Sequence, residues 1–275
     1  MRMATLLSGT ISIWAVLIFT VEGQLTWDLS KGANAYSKML VDLRKQVQGT
    51  TSFGIPVINR NLKTTYIKID IKNENAQTFR VALKATDLYV VGYADMDPDT
   101  RKPLNRAFVL KPQPQEQKKD YNDAFVGAKV IQLPYTGTYK DLEANGGNRR
   151  KLDLTRGAIQ KFFRDIYGQK IDNLKKKQAE FLLTAIQMIS EAARFKYIED
   201  QVKSNYDEDR FKMDNTMYEI VTNWDRISKA FALANACAKN VALLNYIDEK
   251  CTTTLSLQHV TSEWPLSLAH TLAQA

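Results

Sequence analysis

Histidine and cysteine are nearly missing from the 275 residues: His259 and His270 are the only histidines, Cys237 and Cys251 the only cysteines, and all four lie near the C-terminal end. A strand-cleaving nuclease built on a histidine pair therefore has no candidates elsewhere. A serine-histidine-aspartate triad and a zinc site fare no better, because no His or Cys cluster has ligand spacing. There is no phosphate-cradling glycine loop and no Asn-x-Ser/Thr acceptor for N-glycosylation. Internal repeats, low-complexity segments and metal or cofactor signatures are also lacking, so no cofactor is expected.

What is present is an ordinary globular composition, 44% hydrophobic, enough for one large core or two unequal ones. The only long apolar run is at the start, from Ala4 to Phe19 behind Met1-Arg2. It contains Ser8, Gly9, Thr10 and Ser12 and falls short of the ~20 residues of a membrane span. Small residues at Val21-Glu22-Gly23 suit a signal peptidase, so residues 1–23 read as a signal peptide and Gln24 as the first mature residue. A secreted, vacuolar or cell-wall protein without stable membrane association is expected, with a membrane anchor as the alternative. Arg2 and Glu22 would leave together, so the net charge of +8 is kept. Basic clusters at Lys118-Lys119, Arg149-Arg150-Lys151 and Lys175-Lys176-Lys177 suit a polyanion such as nucleic acid, or are solvated surface. In a secreted chain Cys237 and Cys251 are expected to pair, closing a loop worth about 3 kcal/mol, with two inert buried thiols as the alternative.

Residues 64–71 alternate with period two, and residues 79–83, 88–93, 107–110 and 129–133 continue as strands between turn signals. Residues 36–47 have helical spacing before them. After Gly147 the period becomes 3.6: Thr155 is placed to cap a helix ending at Gly168, a buried helix follows, and residues 217–233 supply another. These patterns predict an α+β fold, with a mixed sheet in residues 24–140, a mainly helical part in 141–250 and a thin tail in 251–275.

The buried helix carries the most informative segment, Gln187-Met-Ile-Ser-Glu-Ala-Ala-Arg-Phe195. Glu191 and Arg194 lie one turn apart on it, directly after the apolar run 181–189, and Gln187 sits four residues before Glu191. An exposed Glu/Arg pair at this spacing is worth only ~0.3–0.5 kcal/mol. Among Ile189, Ala192, Ala193 and Phe195, however, charge is costly unless well bonded, which favours a chemical role.

This segment, through Phe195-Lys-Tyr-Ile-Glu199, resembles the active-site signature of the plant ribosome-inactivating proteins, which are rRNA N-glycosylases. Four further segments match in order across roughly residues 25 to 250. Tyr89 in Thr86-Asp-Leu-Tyr-Val-Val-Gly-Tyr93 and Tyr139 in Gly137-Thr-Tyr-Lys-Asp-Leu-Glu143 match the two adenine-stacking tyrosines. Trp224 in Asn223-Trp-Asp-Arg226 matches the tryptophan behind the catalytic pair, and Tyr36 and Arg44 match a structural tyrosine and arginine. Singly, each reads as sheet packing, a loop aromatic or core filler. The resemblance implies hydrolysis of the N-glycosidic bond of one adenosine in a sarcin/ricin-type loop of large-subunit rRNA. Glu191 would stabilise an oxocarbenium-like ribose and serve the water, and Arg194 would stabilise charge on the departing adenine. The backbone around Val90 would read the base edge, and Arg150 and Arg226 would hold phosphates. It further implies a single-chain, type 1 member, a monomeric toxin of plant defence acting on ribosomes.

Two departures from the family pattern matter, and the first of them, together with the tail, motivates an alternative: a basic RNA-binding defence or storage protein with little or no activity. Asp87 stands where the family frequently has Asn, and Val221-Thr222-Asn223 stands where a Glu-Asn pair often precedes the tryptophan. The last hydrophobic elements of the family are also hard to find in residues 252–275.

Overall fold

The computed structural model describes residues 24–50, 56–58, 66–114, 118–168 and 173–224. The expected signal peptide, Arg226, Cys237, Cys251 and the tail from 251 lie outside the described residues.

A six-stranded sheet in the order β1-β4-β5-β6-β7-β8 forms the first layer. Its strands are β1 (Gln24–Asp28), β4 (Tyr66–Lys72), β5 (Thr78–Lys84), β6 (Val90–Met96), β7 (Pro103–Val109) and β8 (Lys129–Gln132). The two outer pairings, β1 with β4 and β7 with β8, are parallel, and the inner ones are antiparallel. The sheet is mixed, as the alternating segments predicted. β1 had no expectation, because five residues are too few to show a period; Leu25 and Trp27 nevertheless alternate inward on either side of exposed Thr26. A small antiparallel ribbon joins β2 (Gln48–Thr50) to β3 (Pro56–Ile58).

Helix α1 (Gly32–Val47) follows β1 and buries Tyr36, Met39, Leu40 and Leu43, a stripe at three- and four-residue spacing. A short helix, α2 (Lys118–Asp123), interrupts the region read as strands and turns. Helices α3 (Tyr139–Ala144) and α4 (Arg156–Tyr167) come next. Thr155 does stand at the start of α4, but its side chain makes no cap hydrogen bond. Its residue is fully buried, and the Arg156 amide donates instead to the carbonyl of Tyr206 at 2.9 Å. Phe79 of β5 packs against Phe162, Phe163, Tyr167 and Phe181, which fastens the helical layer to the sheet.

The central helix begins as α5 (Leu174–Ala185), passes through a π-helical turn at Ile186–Glu191 and ends as α6 (Ala192–Arg194). Every residue from Phe181 to Ala193 is buried. Lys175 and Lys176 lie exposed at its start, while Lys177 meets Asp165 at 3.5 Å. The expectation was a regular helix throughout, and the π turn is a departure from it. A π turn shifts carbonyls out of the regular i→i−4 ladder, so they need other donors. Helix α1 supplies donors at and just after that turn: the Tyr36 hydroxyl donates to the Met188 carbonyl at 2.7 Å, and Arg44 donates to the carbonyls of Ala192 at 2.7 Å and Ala193 at 3.0 Å.

Arg44 also meets Glu199 at 2.6 Å, at the base of α7 (Lys196–Ser204). Glu199 is only 2% exposed, and Arg44 is the nearer of its two cationic partners, with Lys196 at 3.8 Å. Arg44→Ala is expected to lower the unfolding free energy by about 2–4 kcal/mol, because it removes the nearer partner of a buried carboxylate and uncaps two carbonyls. Urea titration checks this, and a loss below about 1 kcal/mol would contradict it.

Candidate active site

Glu191 closes the π turn and is 2% exposed. Its Oε1 accepts a hydrogen bond from Arg194, whose other terminal nitrogen donates to the Asp87 carbonyl at 2.5 Å. Oε2 of Glu191 and Nε of Arg194 are buried with no hydrogen-bond partner among the described residues. Burial raises the Glu191 pKa above the ordinary carboxylate value; the charges of Arg194 and then Arg149 pull the other way without cancelling it. Rare helical turns of this kind often mark functional positions, and here the turn carries the only carboxylate of the segment 181–194.

The turn between β5 and β6 is tied to this helix at two points. Arg194 holds the Asp87 carbonyl, and the Ser190 hydroxyl donates to the Leu88 carbonyl at 2.7 Å. Leu88 sits at φ 60°, a left-handed conformation costing a branched residue roughly 1–2 kcal/mol. The turn compensates locally: Leu88 donates to the Lys84 carbonyl at 2.9 Å, and the Asp87 side chain accepts from the Tyr89 amide at 3.0 Å. Asp87 also meets Lys84 at 3.3 Å, so its charge is not isolated. Tyr89 follows directly, half-buried, and Val90 begins β6 buried at 1% exposure and paired with Leu83 at a register shift.

Tyr139 is the first residue of α3, where the helix start fixes its direction. Thr138 caps it by accepting from the Asp141 amide at 3.3 Å, and the Asp141 carboxylate accepts in return from the Thr136 amide at 3.2 Å. Between these lies Gly137. A Cβ there would stand 3.1 Å from both the Tyr89 hydroxyl and its ring carbon and 2.9 Å from the tip of Leu110, so glycine lets this loop lie close to Tyr89 without shifting either side chain. This contact brings the loop that carries Tyr139 against Tyr89. Burial, and next the nearby Glu191 charge, push the Tyr139 phenol well above its ordinary pKa.

Trp224 closes the other flank, edge-on to Phe195 at 5.4 Å and beneath the Arg194 guanidinium at the same distance. The arginine stacked on Tyr139, at 4.4 Å, is Arg149, which also meets Glu143 at 3.4 Å. Arg150 is exposed and stacks on Tyr218 at 4.3 Å, one aromatic farther from the carboxylate. A cleft of about 460 Å³ beside Tyr139 is lined by Lys140, Glu143, Arg149, Val221 and Thr222. The structure thus gathers Glu191, Arg194, Tyr139 and Trp224 around one buried charge, with Tyr89 on the turn pinned to it. Ser190, Gly137 and Arg149 had no assigned role in the sequence. The glycine-tyrosine spacing of the Tyr139 segment was the one available signal, since a glycine among β-branched residues often marks a close backbone approach.

A family model described as ribosome inactivating protein matches residues 31–232, most of the chain. The chain belongs to the ribosome-inactivating protein family. It is 33% identical over 219 residues to dioicin-2 of Phytolacca dioica, covering 76% of this chain and 82% of that protein. It is 32% identical over 212 residues to the ribosome-inactivating protein lychnin of Silene chalcedonica, covering 75% and 89%. Among solved structures, the type 1 member bouganin matches with a TM-score of 0.65 at 30% identity, over 76% of this chain and 82% of that one. The mixed sheet followed by helices is the fold of this family.

The raised pKa of Glu191 makes this ribosome-inactivating protein carry a stability cost at its own site. A carboxyl whose folded pKa exceeds its unfolded value stabilises the fold below the unfolded pKa and loses that contribution as pH rises through the folded one. Glu191→Gln, neutral at every pH, is therefore expected to melt at the same temperature as the wild type near pH 3 to 4 and higher than it at pH 7 to 8. Calorimetry across that range reads the difference, and a Gln variant less stable at pH 8 would contradict the assignment.

Proposed function

We propose that this ribosome-inactivating protein is an rRNA N-glycosylase that hydrolyses the bond between ribose and adenine at one adenosine of a sarcin/ricin-type loop. The observation that carries the reading is a fully buried carboxylate, Glu191, with one oxygen held by Arg194 and the other unbonded among the described residues, next to the buried phenol of Tyr139. Breaking the bond leaves positive charge on the sugar and an electron pair on the purine. A carboxylate at the first and a guanidinium at the second stabilise both ends of that separation, and each acts more strongly away from water.

The leaving group is a nitrogen heterocycle that accepts a proton itself, so one carboxylate suffices where sugar-oxygen hydrolysis uses two. Arginine stays protonated, which makes Arg194 a source of charge and hydrogen bonds. The base must leave its stack, and the faces of Tyr89 and Tyr139 replace the stacking it gives up. Arg150, on the rim, suits a phosphate of the same strand. The reading extends to a basic, secreted, monomeric toxin of plant defence that inhibits translation.

Asp87 was one of two grounds for a non-enzymatic alternative, the other being the tail outside the described residues, and its ion pair with Lys84 weakens the first. The mature protein is expected to produce a single aniline-released rRNA fragment from ribosomes, together with free adenine. No fragment and no adenine at any dose would overturn the proposal. Glu191→Ala combined with Arg194→Ala should lower the rate by about 10²-fold or more. Tyr89→Ala and Tyr139→Ala should each lower kcat/KM about 5- to 150-fold, the equivalent of ~1–3 kcal/mol of stacking.

A further inference from the structure

We propose that Gln187 is a positioning residue that holds the attacking water for Glu191, an inference that rests on the N-glycosylase reading above. Gln187 is fully buried, yet neither its amide nitrogen nor its amide oxygen has a hydrogen-bond partner among the described residues. A buried amide with both ends unbonded costs stability, and leucine would fill the same volume without that cost. Its neighbours on the helix, Ile186, Met188 and Ile189, are apolar and buried. Gln187 and Glu191 are the second and last residues of the one π turn, Ile186–Glu191. A π turn bonds residues five apart, so side chains four apart fall on nearly the same side. Three further polar atoms of the candidate site are also buried without a partner among the described residues: Glu191 Oε2, Arg194 Nε and the Tyr139 hydroxyl.

A water that attacks C1′ must point one lone pair at the carbon and give one proton to the base. Its remaining proton needs an acceptor and its remaining lone pair a donor, and a side-chain amide offers one of each. The Gln187 amide oxygen takes the second proton's hydrogen bond while the amide nitrogen donates to the second lone pair, which fixes the water's direction toward the sugar. In the step itself the water oxygen bonds to C1′ as the bond from C1′ to adenine breaks and its electron pair leaves with the purine. One water proton passes to Glu191, which later returns it to solvent, and the purine takes up one proton from solvent.

Single-turnover adenine release from a loop oligonucleotide, run in water and in water with methanol, tests the assignment. Methanol has one proton where water has two, so an amide that holds both ends of a water discriminates against it. Gln187→Leu is expected to slow adenine release by about 10²-fold, to raise the methyl riboside to free riboside ratio several-fold, and to leave oligonucleotide affinity unchanged. Its melting temperature should equal or exceed that of the wild type, opposite to what a merely structural glutamine predicts. An unaltered product ratio, or slower release together with a lower melting temperature, would overturn the role of Gln187. Should the Leu variant not fold, Gln187→Asn decides on the same ratio, which must rise because the amide is withdrawn by one methylene. Absence of adenine release by the wild type would instead sink the N-glycosylase reading itself.

Discussion

The clamp that helix α1 places on the central helix is the interaction on which the site depends. A π turn ending in a three-residue helix cannot satisfy all of its own carbonyls, and its residues are buried in the core. Tyr36 and Arg44 meet the carbonyls of Met188, Ala192 and Ala193. These flank Glu191 in the chain, so the donors that stabilise the irregular turn also fix the direction of the carboxylate. Glu199 in turn holds Arg44, which extends the constraint to α7.

Around this clamp the site is assembled from groups that lower stability. Glu191 is ionisable and buried, Leu88 is left-handed, and the polar atoms of Gln187, Tyr139 and Arg194 listed above lack partners among the described residues. Such features persist only where surrounding packing over-determines them. Here the surroundings are the aromatic cluster about Phe79 and the two hydrogen bonds that tie the Asp87-Leu88 turn to the helix. The same bonds tie the turn before Tyr89 to the helix that carries Glu191.

Much of the layout was legible in the residues. Strands β4, β5, β6 and β8 fell on the expected segments, β7 began four residues earlier than expected, and α4 fell between Thr155 and Gly168 because it buries one face; β5 and β6 are buried on both faces and so read as nearly continuous runs. Strand β1 was too short to show a period, and α2 lies in a polar stretch with no apolar stripe. The π turn escaped for a different reason: a segment buried on every side has no polar face, so its sequence carries no record of its helical pitch. Likewise nothing in Arg149-Arg150-Lys151 says which arginine stacks on Tyr139, since neighbouring residues differ only in the direction their backbone gives them.

The sequence by itself determined the fold class, the family and the identity of the charged pair, because periodicity, burial cost and an ordered set of segments are properties of the chain read in order. Tertiary structure decided which groups meet. That Ser190 and Arg194 hold the turn before Tyr89, that Gly137 lies against Tyr89, and that Gln187 is left without partners among the described residues are facts about segments 48 to 107 residues apart in sequence or about buried atoms. Such contacts depend on packing distances of a few tenths of an ångström, and no local pattern encodes them.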